Sequence, residues 1–177
     1  SAEDKLRELE KKLRKSIKES ADRLRKLNEE LRRSVRESAE RLKELIREVE
    51  EVLRDVVRKR GRTEEVERLE EEVEKLRREL EKVIEDSERE LEEHVKRTKE
   101  VIDDSKRLLE EMVEELKRRK ATEEVEDEVR RLDEENKKLL EDLKRSVDEL
   151  IERNKRLLEE LTKRVKELLD KIRKTAE

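Results

Sequence analysis

Residues 6–23 read LRELEKKLRKSIKESADR, residues 24–41 read LRKLNEELRRSVRESAER, and residues 42–59 read LKELIREVEEVLRDVVRK. The three segments are copies of one phrase of 18 residues, and each copy begins with leucine. Eighteen residues at about 100° per residue make five whole helical turns, so the apolar stripe returns to the same side of the helix without drifting. A seven-residue repeat would impose a left-handed supercoil, whereas this repeat predicts a long and nearly straight α-helix.

Two breaks divide the chain into three helices of similar length. A basic run ends at Gly61, which can adopt the left-handed conformation that caps a helix, and Thr63 is a suitable N-cap for the next helix. Ala121 and Thr122 form the second break, with Thr122 as the N-cap of the third helix. The predicted helices run from about residue 3 to 58, from about 64 to 118 and from about 123 to 175.

The short connections predict how these helices pack. Only a few residues separate consecutive helices, so neighbouring helices must run antiparallel. The predicted fold is therefore all-α, an antiparallel up-down-up bundle of three long helices that forms a single domain over residues 1–177.

Composition favours a folded helical protein over a disordered one. Charged residues make up 60% of the chain, but Lys and Arg (51) nearly balance Asp and Glu (55). Leu, Ile and Val supply 47 of the 177 residues, which is above the range of disordered chains. No apolar run exceeds two residues, so neither a membrane span nor a signal peptide is expected, and the chain should be soluble without a signal for any compartment. The net charge of −4 predicts no general attraction to nucleic acid.

Polar residues interrupt the predicted apolar stripe and should find partners across the core, since a buried polar group without one costs about 1–3 kcal/mol. The short connections place residue n of the first helix level with about 123 − n of the second, and residue m of the second level with about 242 − m of the third. This register predicts three polar layers: Ser16, Ser20, Ser105 and Asn136; Asn28, His94, Thr98 and Ser146; and Ser34, Ser38, Ser87 and Asn154.

A layer of serine and asparagine can satisfy its own hydrogen bonds, because both side chains donate and accept. The alternative is that these residues are solvated boundary positions that make no mutual bonds. Ser16 and Ser34 lie at the edge of the stripe and are expected to be partly solvated, while Thr162 lies off the stripe and is expected at the surface.

His94 is the single histidine. A structural position in the core, beside hydrogen-bonding neighbours, explains it more simply than a catalytic or metal-binding role does. The stripe carries no inward Asp, Glu or Cys to share a metal, and Leu91 occupies the position that a Glu-x-x-His motif gives to glutamate. No metal, cofactor or catalytic residue is therefore expected. Burial without an acidic partner predicts a pKa of His94 below its ordinary value.

A charged chain without aromatic residues or proline, built from 18-residue repeats with isolated polar layers, resembles de novo designed parametric helical bundles with buried hydrogen-bond networks. The resemblance covers the whole chain. Proteins of this kind serve as scaffolds, as oligomer subunits or as the fixed part of binding switches. The resemblance implies no role for any individual residue beyond the polar layers.

The leading functional hypothesis is a designed structural scaffold or assembly module, without natural biochemical activity, whose polar layers fix the helix register. The alternative is a helix-binding or self-associating module, either a homo-oligomer subunit or the three-helix partner of a fourth helix. The expected partners are accordingly none, a second copy or a complementary designed helix; nucleic acid, membrane and small-molecule substrates are not expected. Leucine doublets widen the stripe of the third helix, which predicts an exposed apolar edge near Ile151 and Leu169.

Overall fold

The computed structural model describes residues 2–119 and 123–177, and three long α-helices occupy nearly all of them. Helix α1 spans Ala2–Arg60, α2 spans Glu64–Arg119 and α3 spans Glu123–Ala176. The prediction of a three-helix all-α bundle is confirmed, and every helix end lies within two residues of its predicted position. The predicted break at Ala121 and Thr122 lies outside the described residues.

Both predicted capping residues act at the connection between α1 and α2. Gly61 has a positive φ of 72°, and its N–H donates to the carbonyl oxygen of Val57 at 2.9 Å, which closes the last turn of α1. The Oγ1 atom of Thr63 accepts a hydrogen bond from the N–H of Val66 at 3.2 Å. The chain therefore reverses direction over residues 61–63, because Gly61 ends α1 and Thr63 caps the start of α2.

Replacing Gly61 with alanine is expected to lower the free energy of unfolding by about 1–2 kcal/mol, because an L-residue is strained in the left-handed region. A Cβ atom at this position would meet nothing within 4 Å, so the loss should come from the backbone and not from a clash. Gly61→Asn is the matched control and should lose less, since asparagine tolerates this conformation. Chemical denaturation measures the difference, and an alanine variant as stable as the parent would contradict the assigned cap.

The chain folds into two compact units, each of which contains a segment of every helix. The first unit comprises Ser1–Glu30 and Glu92–Glu149, and the second comprises Leu31–Leu91 and Leu150–Glu177. The single domain expected from the sequence stays a prediction.

In the second unit, α2 and α3 run antiparallel in a regular register. Three ion pairs link the two helices. For each residue that the α2 partner lies further along the sequence, its α3 partner lies one residue further back. Such exposed ion pairs typically contribute about 0.2–1 kcal/mol, so they report the register more than they stabilise it. The pairs are Glu72 with Lys171 at 2.9 Å, Glu79 with Arg164 at 2.6 Å, and Glu90 with Arg153.

One continuous apolar core holds the second unit together, and all three helices contribute to it. Leu80 of α2 and Val165 of α3 are completely buried, and Leu45 of α1 is 2% exposed. Leu45 and Val165 belong to apolar stripes that recur every 18 residues, with Leu27 and Val147 one repeat earlier. The repeat therefore predicts the core-facing side of α1 and of α3 correctly in this unit.

The first unit has two smaller apolar clusters. One is built around Leu13, Leu109 and Met112, and the other around Leu24 and Leu140. Along α2, position 105 lies between the residues of the two clusters, and along α3 position 136 does so. Polar residues therefore separate the two apolar parts of this unit.

The prediction of an exposed apolar edge of α3 near Ile151 and Leu169 is wrong. Leu169 is 4% exposed and packs in the core of the second unit, and Ile151 is half-buried. Leu169 packs in an apolar cluster to which α1 also contributes. The leucine that widens the stripe of α3 is therefore buried within the bundle. Among the described residues, the exposed large hydrophobic side chain is Leu139, at 48%.

Candidate polar core site

Ser105 and Asn136 form a direct contact between α2 and α3 in the first unit. The hydroxyl of Ser105 donates to Oδ1 of Asn136 at 2.7 Å, which is a short and well-formed bond. The two residues are only 4% and 6% exposed. Water therefore competes poorly for these groups, and among the described residues of this core the bond is the shortest side-chain hydrogen bond between two helices.

Thr98 connects α2 to α1 in the same unit through a weaker contact. Its hydroxyl lies 2.9 Å from the carbonyl oxygen of His94, one turn earlier on its own helix, and 3.3 Å from Oδ1 of Asn28. A hydroxyl group has one proton to donate, so the two acceptors share it and the shorter bond is the stronger. The helix carbonyl thus takes most of the donor capacity of Thr98, and the link to Asn28 is secondary.

His94 is buried beside this contact, and its ring is not fully satisfied. The side chain is 6% exposed, and Nε2 has no hydrogen-bond partner among the residues that the structure describes. Burial, and to a smaller extent the positive charge of Arg97, lower the pKa of His94 below its ordinary value, as the sequence predicts. The imidazole is therefore held in its neutral form in the folded protein near neutral pH.

The third predicted layer, in the second unit, is arranged differently from the first. Ser38, Ser87 and Asn154 line the same small cavity, which has a volume of about 10 Å³. Asn154 is buried, whereas Ser34, Ser38 and Ser87 are half-buried. Among the residues that the structure describes, none of these four side chains bonds to another. The same sequence pattern thus produces a bond in one unit and a cavity in the other.

The remaining predicted members lie at the margins of the core. Ser16, Ser20 and Ser146 are half-buried, and within residues 2–119 and 123–177 they make no hydrogen bond to their expected partners. Ser16 and Ser34 have the partial exposure expected of the edge of the stripe, while Thr162 is half-buried and not fully exposed. The structure brings together parts of each predicted layer, and complete networks stay a prediction.

A groove between α1 and α3 in the first unit was not anticipated from the sequence. Its volume is about 820 Å³, and Ser16 and Ser20 lie along it instead of joining Ser105 and Asn136. Its apolar members are Leu24, Leu27 and Leu140; its charged members are Lys12, Lys15, Glu19, Arg23, Lys137, Lys138, Glu141, Asp142, Lys144 and Arg145. Most of the charged side chains around it are therefore basic.

The distribution of charge among the helices is the sequence signal that could have pointed to this groove. Helix α1 carries 20 basic and 15 acidic residues, whereas α2 carries 14 basic and 22 acidic residues. The nearly neutral sum for the whole chain conceals this difference. Helix α3 carries 15 basic and 17 acidic residues, so the basic surplus of α1 is the part of this signal that bears on the groove.

Two kinds of feature, metal-binding clusters and membrane-spanning helices, are absent from the described parts of the chain. No group of three or more His, Cys, Asp or Glu side chains in these ranges is arranged to hold a metal ion. No helix within them is both long and apolar enough to cross a lipid bilayer.

Fold and site together define the chain as an all-α three-helix bundle with polar side chains in its core. Comparison with known proteins finds no matching family profile and no matching curated protein. The chain is similar to a solved structure titled "Computationally designed three helix bundle", with 23% identity, a TM-score of 0.44, and coverage of 99% of this chain and 84% of the other. The fold assignment rests on the helices of this chain and not on that likeness.

Proposed function

We propose that the chain is a designed structural scaffold or assembly module, without catalytic activity, in which buried polar contacts fix the register of the helices. The observation that carries this proposal is the 2.7 Å bond between Ser105 and Asn136 inside an apolar core. The repeated sequence and the lack of aromatic residues, cysteine and proline support a designed origin.

The energetic argument concerns alternative registers. Apolar stripes pack almost equally well after a helix slides by a few turns, because one apolar side chain replaces another. A slide by less than a whole 18-residue repeat separates Ser105 from Asn136 without bringing the equivalent residues, one repeat away, level with either. It leaves two buried polar groups without partners, at about 1–3 kcal/mol each. The pair therefore penalises wrong registers even if it adds little to the stability of the correct one.

Replacing Asn136 with leucine and Ser105 with alanine together is expected to keep or raise the free energy of unfolding while relaxing the register of α2 against α3. Spin labels at the exposed positions Lys106 and Glu135 would report the distance between the helices. The parent should give one narrow distance distribution, and the double variant a broader one or a second population.

Asn154→Leu is the matched control for the register experiment. Asn154 makes no hydrogen bond to Ser87, so its replacement should leave the distances in the first unit unchanged. A distribution for the double variant as narrow as that of the parent would refute the role of the Ser105–Asn136 contact in register.

A second candidate function is a helix-binding or self-associating module. The open groove between α1 and α3 in the first unit is the observation that favours it. A fourth helix laid between two existing helices is an established mode of recognition.

A further inference from the structure

We propose that a cavity in the second unit binds one water molecule, held by hydrogen bonds to Ser38, Ser87 and Asn154. The three side chains line the same cavity, and they come from α1, α2 and α3 respectively. The site goes beyond the proposed register role of Ser105 and Asn136, since it lies in the other unit and uses other residues. A water at this position joins all three helices at one level of the core.

The polar side chains of this cavity find no partner among the residues that the structure describes. Asn154 is 8% exposed, and its amide group makes no hydrogen bond within residues 2–119 and 123–177. The hydroxyl groups of Ser38 and Ser87 make none in these ranges either. By contrast, the hydroxyl of Thr98 donates to the carbonyl oxygen of His94, one turn earlier on its own helix, at 2.9 Å. Because buried polar groups are paired with protein or with ordered water, the three side chains are available to a bound water.

The size and the lining of the cavity select water as the ligand. Its volume of about 10 Å³ is close to the space that one water molecule requires. A buried water makes about three hydrogen bonds, which matches the three polar side chains at the cavity. The amide of Asn154 and both hydroxyl groups can donate and accept, so a water can donate to two of them and accept from the third. The described lining carries no charged side chain, and three neutral oxygen ligands are too few for a calcium or magnesium ion.

Apolar packing keeps the polar side chains from closing the cavity. Leu42 of α1 and Ile84 of α2 line the cavity and are 3% and 8% exposed, and Leu157 of α3 lines it as well. Leu42 and Ile84 belong to the continuous core of the second unit, and Leu157 packs against that core. A closer approach of the helices would compress this core, which is costly. The polar groups therefore meet through a water and not directly.

The equivalent pair in the first unit provides the comparison. Ser105 and Asn136 each lie one 18-residue repeat away in sequence from Ser87 and Asn154. They form a direct bond at 2.7 Å, which has no room for a water between its two atoms. One sequence pattern is thus satisfied directly in the first unit and through water in the second.

A high-resolution crystal structure of the full chain tests the site directly. One ordered water should lie about 2.5–3.2 Å from polar atoms of Ser38, Ser87 and Asn154. A crystal structure without this water would overturn the proposal, whether the side chains bond directly to one another or face a dry cavity. In solution, magnetic relaxation dispersion of water oxygen counts the water molecules that stay bound for longer than the protein takes to tumble.

Asn154→Leu is the variant that removes the site. It replaces the amide with apolar atoms at the cavity, so the number of long-lived waters should fall by one. Asn136→Leu is the matched control, since it makes the same change at an asparagine that is 6% exposed but bonded to the hydroxyl of Ser105. Its water count should equal that of the parent. Circular dichroism checks that both variants remain helical.

Ser38→Ala with Ser87→Ala separates hydrogen bonding from space. This double variant keeps Asn154 and enlarges the cavity, but it removes two of the three partners, so the water should be lost. A water count that Asn154→Leu leaves unchanged, or that Asn136→Leu lowers equally, would overturn the cavity as the site. Retention of the water in the double serine variant would overturn the hydroxyl groups as its ligands. The spin-label distances test the register role separately, so either proposal can fail alone.

Discussion

Truncating Leu80 to alanine is expected to lower the free energy of unfolding by about 2–5 kcal/mol, the largest effect of any single substitution considered. Leu80 is 0% exposed and lies within the continuous core of the second unit. Alanine removes apolar atoms from a site with no access to water, and helices anchored along their whole length relax little toward the cavity. Chemical denaturation of parent and variant measures the loss.

Leu139→Ala is the matched control for Leu80→Ala. It makes the same chemical change in a long helix, but Leu139 is 48% exposed, so little burial is lost. The expected loss is below about 1 kcal/mol. Equal losses for the two variants would show that the apolar stripe of α2 does not face the core in the way described.

Acidification is expected to weaken the parent more than it weakens a variant without His94. Burial lowers the pKa of His94 in the folded protein, with a smaller contribution from Arg97, while the unfolded chain keeps the ordinary value of about 6.5. Between these two pKa values the unfolded chain binds more protons than the folded one. The free energy of unfolding contributed by His94 is therefore complete above the unfolded pKa, and it is lost as the pH falls through the folded pKa.

Denaturation of the parent and of His94→Gln at pH 7.5 and pH 5 tests this expectation. The glutamine variant corrects for carboxylates, whose titration affects both proteins alike. The magnitude follows from linkage, in which a tenfold difference in proton affinity between the two states corresponds to about 1.4 kcal/mol. The same loss of stability in both proteins would mean that His94 is solvated or that its charged form is stabilised in the fold.

The main features of the fold follow from local sequence patterns. The 18-residue repeat fixes the core-facing side of each helix, because it returns the stripe to the same azimuth. Gly61 and Thr63 fix the first reversal, because capping depends on the conformation and hydrogen bonds of a few neighbouring residues. The depressed pKa of His94 also follows from the pattern, since it needs only burial without an acidic neighbour.

The polar site is predictable only in part. Counting residues from the turns places Ser105 beside Asn136, and the structure joins them at 2.7 Å. The same count makes Ser87 and Asn154 an equivalent pair, but they line a cavity instead. A register count locates a side chain to within about one turn, whereas a hydrogen bond requires a separation correct to within a few tenths of an ångström.

The three helices, their core-facing sides and the positions at which polar residues enter the core follow from periodicity and from short-range capping. Which polar residues bond to one another, and where α1 and α3 leave a groove, depends on how the helices pack. Those features depend on the separation and rotation of whole helices, which many small packing contacts set together. Near-identical repeats experience different packing along the chain, so one phrase of sequence gives a hydrogen bond in the first unit and a cavity in the second.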